Sequence, residues 1–324
     1  MKVLIYVFVF FPMVALCQKM EDIETDSSII SFRYIKERNT ILTMNSLKER
    51  NIFYMTEKYL DTNNLRMRLK YENGYLTDIT NIFSKNGKLE ESLDHDAGKW
   101  IVFQKEKYPF YDLKMRMKLK GDCIIKNIYS TDFFENHVVW NFYASETFKG
   151  ENKVEYTQSI KEVPDKYLLV YDIYIQESSI GKVRKTIKFA LDSIGNLIKN
   201  DEIKGFEKLS KMTDKTFVID YEKAFIKVKS FEKDVNDTTN YEVILKWDEF
   251  ERQGKYSGKY WYYFLVPTEI INKKVKGYSS YVEYMYNVYV FDPWTSEFVE
   301  MNKMKMVDMI SYRCHTNTGL MLIE

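Results

Sequence analysis

Tyr281-Val282-Glu283-Tyr284-Met285-Tyr286-Asn287-Val288-Tyr289-Val290-Phe291 decides the reading of the fold. Taken two residues at a time, it places Val282, Tyr284, Tyr286, Val288 and Val290 on one face of an extended chain. Aromatic and β-branched residues in that alternation fit a pleated, half-buried surface, so the segment reads as a strand. The same reading of Tyr260 to Val266 groups Trp261, Tyr263 and Leu265. Upstream, Leu65, Met67, Leu69 and Tyr71 alternate with Arg66, Arg68 and Lys70, and Glu72-Asn73-Gly74 follows as a hairpin turn. Leu113 to Lys120 reads the same way, with Leu113, Met115, Met117 and Leu119 against Lys114, Arg116, Lys118 and Lys120.

Further strands are expected at Val138–Tyr143, Tyr167–Ile175, Val183–Leu191 and Tyr241–Lys246, with turns at Ser178–Gly181 and Asp192–Asn196. Helical spacing is rare. Ser27–Arg38 and Asp201–Met212 are the two segments that read as helices. The expected fold is therefore mainly β: curved antiparallel sheets, half-barrel or sandwich-like, connected as a meander with few helices. Long aromatic strands need a second layer or an enclosed ligand to cover them. The organisation expected is a leader at 1–17, a β-rich unit at 18–205 and a second at 206–324, with a single domain as the alternative. An echo between Asp94–Val102 and Asp292–Glu300 suggests either a repeat of the two units or two independent hairpins.

The 324 residues include 45% hydrophobic and 29% charged side chains, a globular balance that argues against disorder. Gly (12) and Pro (5) are scarce, which excludes collagen-like and Pro-rich linker chains. After Lys2, Val3–Cys17 carries no charge and ends in Ala15-Leu16-Cys17. It is too short to span a bilayer and has small residues where signal peptidase needs them, so it reads as a cleaved signal peptide and the protein as secreted or extracellular. No transmembrane segment is expected after that cleavage. Loss of Lys2 lowers Lys+Arg from 48 to 47, equal to the 47 Asp+Glu, so the mature charge is zero and nucleic acid is not an expected partner. Cys17 leaves with the leader. Cys123 and Cys314 then remain as an even pair that reads as one disulfide, with two free thiols as the alternative. Asn236-Asp237-Thr238 is a glycosylation sequon at Asn236.

Several segments look alike to a known family. Glu57–Leu69, the hairpin ending Gly98-Lys99-Trp100-Ile101-Val102-Phe103, and Gly121-Asp122-Cys123-Ile124-Ile125 resemble secreted invertebrate proteins with a LolA-like domain. The resemblance implies a curved half-barrel closed by helices over an apolar cavity, and it covers about 75 residues.

Motifs for chemistry are sparse. The sequence has three histidines and none of the zinc-protease, Cys-x-x-Cys, P-loop or nucleophile-elbow patterns, so neither an enzyme nor a cofactor is expected, and no catalytic or metal-ligating residue is assigned. Asp94-His95-Asp96 would gather on a metal only if folded as a turn, and it reads foremost as a polar hairpin loop. Cys314-His315 resembles a nucleophile and base, but neighbouring strand residues point apart. The basic residues at 66, 68 and 70 would meet those at 114, 116, 118 and 120 as one positive wall if their strands were neighbours, or pair with nearby Glu57, Glu72, Glu90 and Glu91. Trp261, Tyr263, Tyr284 and Tyr286 are the candidate ligand-lining residues, since such rings offer apolar area and an orienting polar tip. An aromatic-rich core is the plain alternative. The functional expectation is a secreted, non-enzymatic protein holding a hydrophobic or amphipathic ligand such as a lipid. An extracellular protein-interaction or adhesion module is the alternative, followed by an enzyme with an unsignalled carboxylate pair.

Overall fold

The computed structural model describes residues 21–323 apart from residues 26, 48–51, 73, 155–162, 178–180, 200–202, 208–215, 233, 237–238, 240, 249–256, 278–279 and 311–314. The first sheet is a meander of β1 (Glu21–Glu24), β2 (Ser28–Ile35), β3 (Thr40–Leu47), β4 (Ile52–Tyr59), β5 (Leu65–Glu72), β6 (Tyr75–Thr77), β7 (Ile79–Phe83), β8 (Leu89–Asp94) and β9 (Lys99–Val102). Each pairs antiparallel with a sequence neighbour, except that β5 bonds both β6 and β7. Two helices follow, α1 (Tyr111–Ile128) and α2 (Thr131–His137). The second sheet takes β10 (Val138–Trp140), β11 (Glu146–Lys149), β12 (Asn152–Val154), β13 (Lys166–Glu177) and β14 (Gly181–Asp192), in the order β10-β13-β11-β12 with β14 on β13. After α3 (Tyr221–Phe231), the third sheet contains β15 (Glu242–Asp248), β16 (Lys259–Asn272), β17 (Ser280–Phe291), β18 (Phe298–Ile310), β19 (His315–Asn317) and β20 (Met321–Leu322).

This is a mainly β protein with few helices, but the sheets are three separate antiparallel ones, none closed into a barrel or strongly curled. The expected half-barrel or sandwich-like curvature is therefore corrected. Closure requires the first and last strands of a sheet to bond each other. In the first sheet β1 and β9 stand at opposite ends of the strand order.

Two local readings also change. Leu113–Lys120 is helical, inside α1. Its buried residues are Lys114, Met117, Gly121, Asp122 and Ile125, a helical stripe, while Leu119 is 59% exposed. Leu, Met, Lys and Arg are all good helix formers, and without β-branched residues the apparent alternation carries little strand preference. Ser27–Arg38 reverses the other way: Ser28–Ile35 is strand β2, bonded on both edges. Of the second expected helix, described residues 203–207 are not helical, and Lys204 bridges Lys188 instead. The strands read at 65–71, 167–175, 183–191, 241–246, 260–266 and 281–291 are all present.

Contacts divide the chain into two compact units, Met1–Arg116 with Val139–Tyr167, and Met117–Val138 with Leu168–Glu324. In the first, Trp100 packs against Tyr108, Tyr111 and Phe142 at ring distances of 4.5–5.7 Å. Gly98 there has φ 60, and a Cβ on it would lie 2.7 Å from the Trp140 nitrogen, so the β8–β9 turn needs glycine. In the second, Gly121 lets α1 approach β13 closely, since a Cβ would meet Leu169 at 2.5 Å and the Tyr171 hydroxyl at 2.7 Å.

The echo between 94–102 and 292–300 is a shared turn. Asp94 Oδ1 accepts from the N–H groups of Asp96 and Ala97, and Asp292 Oδ1 accepts from those of Trp294 and Thr295. The fifth residue of each, Gly98 or Ser296, is left-handed at φ 60 or 56. Asp192 builds a related turn through the N–H groups of Ile194 and Asn196.

The second unit is joined by one buried carboxylate. Glu177, at the end of β13 and 2% exposed, accepts from the Tyr221 N–H at 2.7 Å and the Tyr262 hydroxyl at 2.8 Å. Burial pushes its carboxyl above the usual range. Glu177→Ala strands two buried donors and is expected to lower the unfolding free energy by about 2–4 kcal/mol. Glu177→Gln should lose less, because its amide can still accept from Tyr221 N–H while donating to Tyr262; urea denaturation of both variants checks the order.

Candidate functional site

The four ring residues singled out in the sequence stand on one face of the third sheet. Trp261, Tyr263, Leu265, Tyr286, Val288, Val290 and Met304 form a buried cluster, with Ile244, Tyr284, Val299, Met306 and Leu320 packed against it at partial exposure. Strand register explains the grouping. Tyr263 lies opposite Ile244 and Val290, Leu265 opposite Val288, and Tyr286 opposite Met304. Tyr260, Tyr262 and Phe264 alternate to the other face, where Phe264 meets Tyr221 of α3 at 5.3 Å. The face is graded. Tyr263 is fully buried and donates its hydroxyl to Asp248 Oδ2 at 3.0 Å, whereas Tyr284 is half-buried.

The edge of this face carries charge. Glu242 begins β15, and Asp308 is placed on β18 opposite Val282. Burial first, and the Asp308 charge second, raise the Glu242 carboxyl above its ordinary range. Burial also pushes the Tyr284 and Tyr286 phenols upward, with Glu242 and Asp308 adding to the effect. Neither carboxylate stood out in the sequence among 47 acidic residues. The signal available was position: two residues before Ile244, Glu242 falls on the aromatic side of its strand.

Other sequence candidates separate. Among the described residues, Cys123 is a free, exposed thiol on α1, outside the buried stripe of that helix. The Cys123–Cys314 disulfide is therefore corrected, and Cys314 itself lies outside the described residues, as does the 1–17 leader. Asn236 is exposed, with its N–H donating to the Tyr241 hydroxyl at 2.9 Å. Its sequon partners 237 and 238 lie outside the described residues.

In the Asp94-His95-Asp96 turn the side chains serve the loop. Asp94 binds backbone N–H groups, Asp96 accepts from Asp78 N–H, and His95 Nε2 sits 2.9 Å from Thr80 Oγ1. No group of three or more His, Cys, Asp or Glu suited to a metal occurs among the described residues. The positive wall does not form, because residues 114–120 are helical. Arg66 pairs with Glu57 at 2.6 Å, Lys70 with Asp78 and Glu72 at 3.2 and 3.4 Å, and Lys118 with Asp122 at 2.6 Å.

A second polar cluster, missed in the sequence, lies in the first unit. Lys114 is fully buried, its ammonium position 3.8 Å from the Phe142 ring centre and 5.4–5.5 Å from those of Trp140 and Trp100. Glu91 accepts nearby from Trp100 Nε1 at 2.6 Å and the Tyr108 hydroxyl at 2.8 Å. Desolvation holds the Lys114 amine well below the usual lysine range, against the opposing pull of Glu91. No helix among the described residues is long and apolar enough to cross a membrane, which says nothing of strand-built barrels.

No family model matches the chain, and no curated protein or solved structure is similar to it.

Two titrations follow from these burials. For Lys114 the folded value lies below the unfolded one, so the unfolded chain binds the extra proton and stability falls as pH drops below about 10.4. Lys114→Met should therefore stabilise the protein by about 1–3 kcal/mol at pH 7, the gain shrinking toward pH 10 in a pH series of thermal melts. Glu207, 6% exposed, accepts from the Tyr260 N–H, and burial pushes its carboxyl up to about 7. Here the folded state holds the extra proton, so this group's stabilisation is complete below its unfolded value and is lost as pH rises toward 7. Glu207→Gln should flatten that part of the stability profile, as denaturation at pH 5 and pH 8 would register.

Proposed function

We propose that this is a secreted, non-enzymatic binding protein whose aromatic sheet face holds a hydrophobic or amphipathic ligand. The observation that carries the reading is the gradient on the third sheet: a sealed core at Tyr263, Leu265 and Val288 passes into half-buried Tyr284 and Met306 without leaving the face. Such rings supply area for an apolar body, and their hydroxyls can orient a polar end. The reading rests on these residues and not on the LolA-like resemblance, whose half-barrel the three open sheets do not reproduce.

A second reading, an extracellular interaction module, draws on the first sheet. Register puts Ile30, Phe32 and Tyr34 of β2, Ile41 of β3 and Tyr54 of β4 on one face, all half-buried, with Arg68 stacked 4.5 Å over Tyr54. A face of that composition suits contact with another protein.

Native mass spectrometry of the secreted protein, followed by organic extraction, separates the two. A stoichiometric co-purified small molecule, lost in Tyr284→Ala, is the expected result; a clean apo mass with no uptake of added lipids would sink the ligand reading in favour of the interaction module.

A further inference from the structure

The outer face of the first sheet is ordered row by row. Leu42, Glu57, Leu69 and Tyr71 are buried on one side of this sheet, and the residues that alternate with them point to the other. On that second side, register sets Phe32 of β2 across from Thr43, Thr43 across from Thr56, and Thr56 across from Arg68 of β5. The neighbouring rows run Tyr34, Ile41, Lys58 and Ile30, Asn45, Tyr54, Lys70. Thr43, Thr56 and Asn45 thus make a low polar floor between rings on β2 and cations on β4 and β5.

The cations are not consumed within the fold. Arg68 is exposed and stacks 4.5 Å over the Tyr54 ring. Stacking fixes the guanidinium plane and leaves its N–H edge for an anion, which it can grip with two parallel hydrogen bonds. Neither Arg68 nor Lys58 enters an ion pair among the described residues. Lys70 reaches Asp78 at 3.2 Å and Glu72 at 3.4 Å, but both acids are exposed, so water screens the pairs and another anion can displace them. On the Tyr54 row, Asn45 Oδ1 and, across from Lys70, Thr77 Oγ1 are closed off from water without a hydrogen-bond partner. Burying such atoms unpaired is costly. A ligand that turned the long side chains of this row outward and brought hydroxyls to it would recover that cost.

A sugar meets these demands more closely than a protein does. The core of a protein interface is apolar, and it would leave the threonine hydroxyls and the Asn45 amide unpaired. A pyranose ring is apolar on its C–H faces, which lie against aromatic rings, and polar at its edge, where hydroxyls meet Thr and Asn side chains. Sulfate or carboxylate groups on the same chain answer the three cations.

We propose that Phe32, Tyr34, Tyr54, Lys58, Arg68 and Lys70 form a docking face for an acidic polysaccharide, a chain of sugar rings bearing sulfate or carboxylate groups. The assignment takes from the proposed function only that the protein is secreted, and it does not depend on the aromatic face of the third sheet.

Biolayer interferometry of the secreted protein on dextran sulfate, hyaluronate and unmodified dextran, in a salt series, tests it. One or both acidic chains should bind, which tells sulfate from carboxylate recognition, and dextran should bind about tenfold more weakly or less. Three cations predict a slope of about −2 to −3 for log affinity against log salt. Arg68→Gln should weaken the acidic chain about tenfold and reduce that slope by about one. Tyr54→Leu should weaken binding and leave the slope unchanged. Lys303→Gln, which removes an exposed cation of the third sheet, should change nothing. Because Arg68 is exposed, its variant should keep the parent melting temperature and decides the matter even if the Tyr54 variant unfolds. An equal loss in Lys303→Gln, dextran bound as tightly as the acidic chains, or a single-stranded oligodeoxynucleotide bound as tightly would each overturn the assignment. If none of the sugars binds, this face is left to a protein partner and the assignment falls, whereas a co-purified small molecule would still uphold the ligand reading.

Discussion

A single carboxylate, Glu177, ties together the elements on which the second unit is built. It closes β13, takes the first N–H of α3 and fixes the hydroxyl of Tyr262 in β16. The helix N-terminus is a natural place for negative charge, because its first N–H groups lack partners inside the helix and the helix dipole favours an anion there. Asp220 caps the same turn by accepting from Lys223 N–H. With α3 seated by these two acids, Tyr221 and Phe225 lie on Phe264 at 5.3 and 6.3 Å and cover one face of the third sheet. The aromatic candidate site is on the other face, so the helix side supports the site without occupying it.

The buried carboxylates Glu57, Glu91 and Glu177 are each supplied with donors. Glu57 is fully buried but receives Thr40 Oγ1 and Arg66, both at 2.6 Å. Glu91 has an indole and a phenol, and Glu177 an amide and a phenol. In each case the cost of desolvation is offset by donors placed for the purpose.

Much of the fold was legible. Alternation placed Trp261, Tyr263, Leu265 and Tyr284, Tyr286, Val288, Val290 on two strand faces, and the register brings those two faces together as one. It failed at Leu113–Lys120, since residues four apart share a face in a helix and also in a strand; eight residues of alternation do not separate the periods. What settled α1 lay beyond that window, in Gly121 and Ile125, whose burial follows a helical stripe. Cys123 falls on the outward side of that same helix as a free thiol, and the even cysteine count behind the expected disulfide holds no information on proximity.

The sequence by itself determined the strands at 65–71, 167–175, 183–191, 260–266 and 281–291, the apolar side of the last two, and that aromatic rings would be concentrated between 260 and 291. Those are local properties, set by side-chain branching and a two-residue period. Only the tertiary structure decided that the sheets stay separate, that Glu242 and Asp308 act on the same pair of tyrosines, and that Lys114 is enclosed by three rings. Each of those depends on strand order and helix placement, which bring together residues far apart in the chain. Charges interact according to distance in space, and no periodicity along a chain encodes that distance.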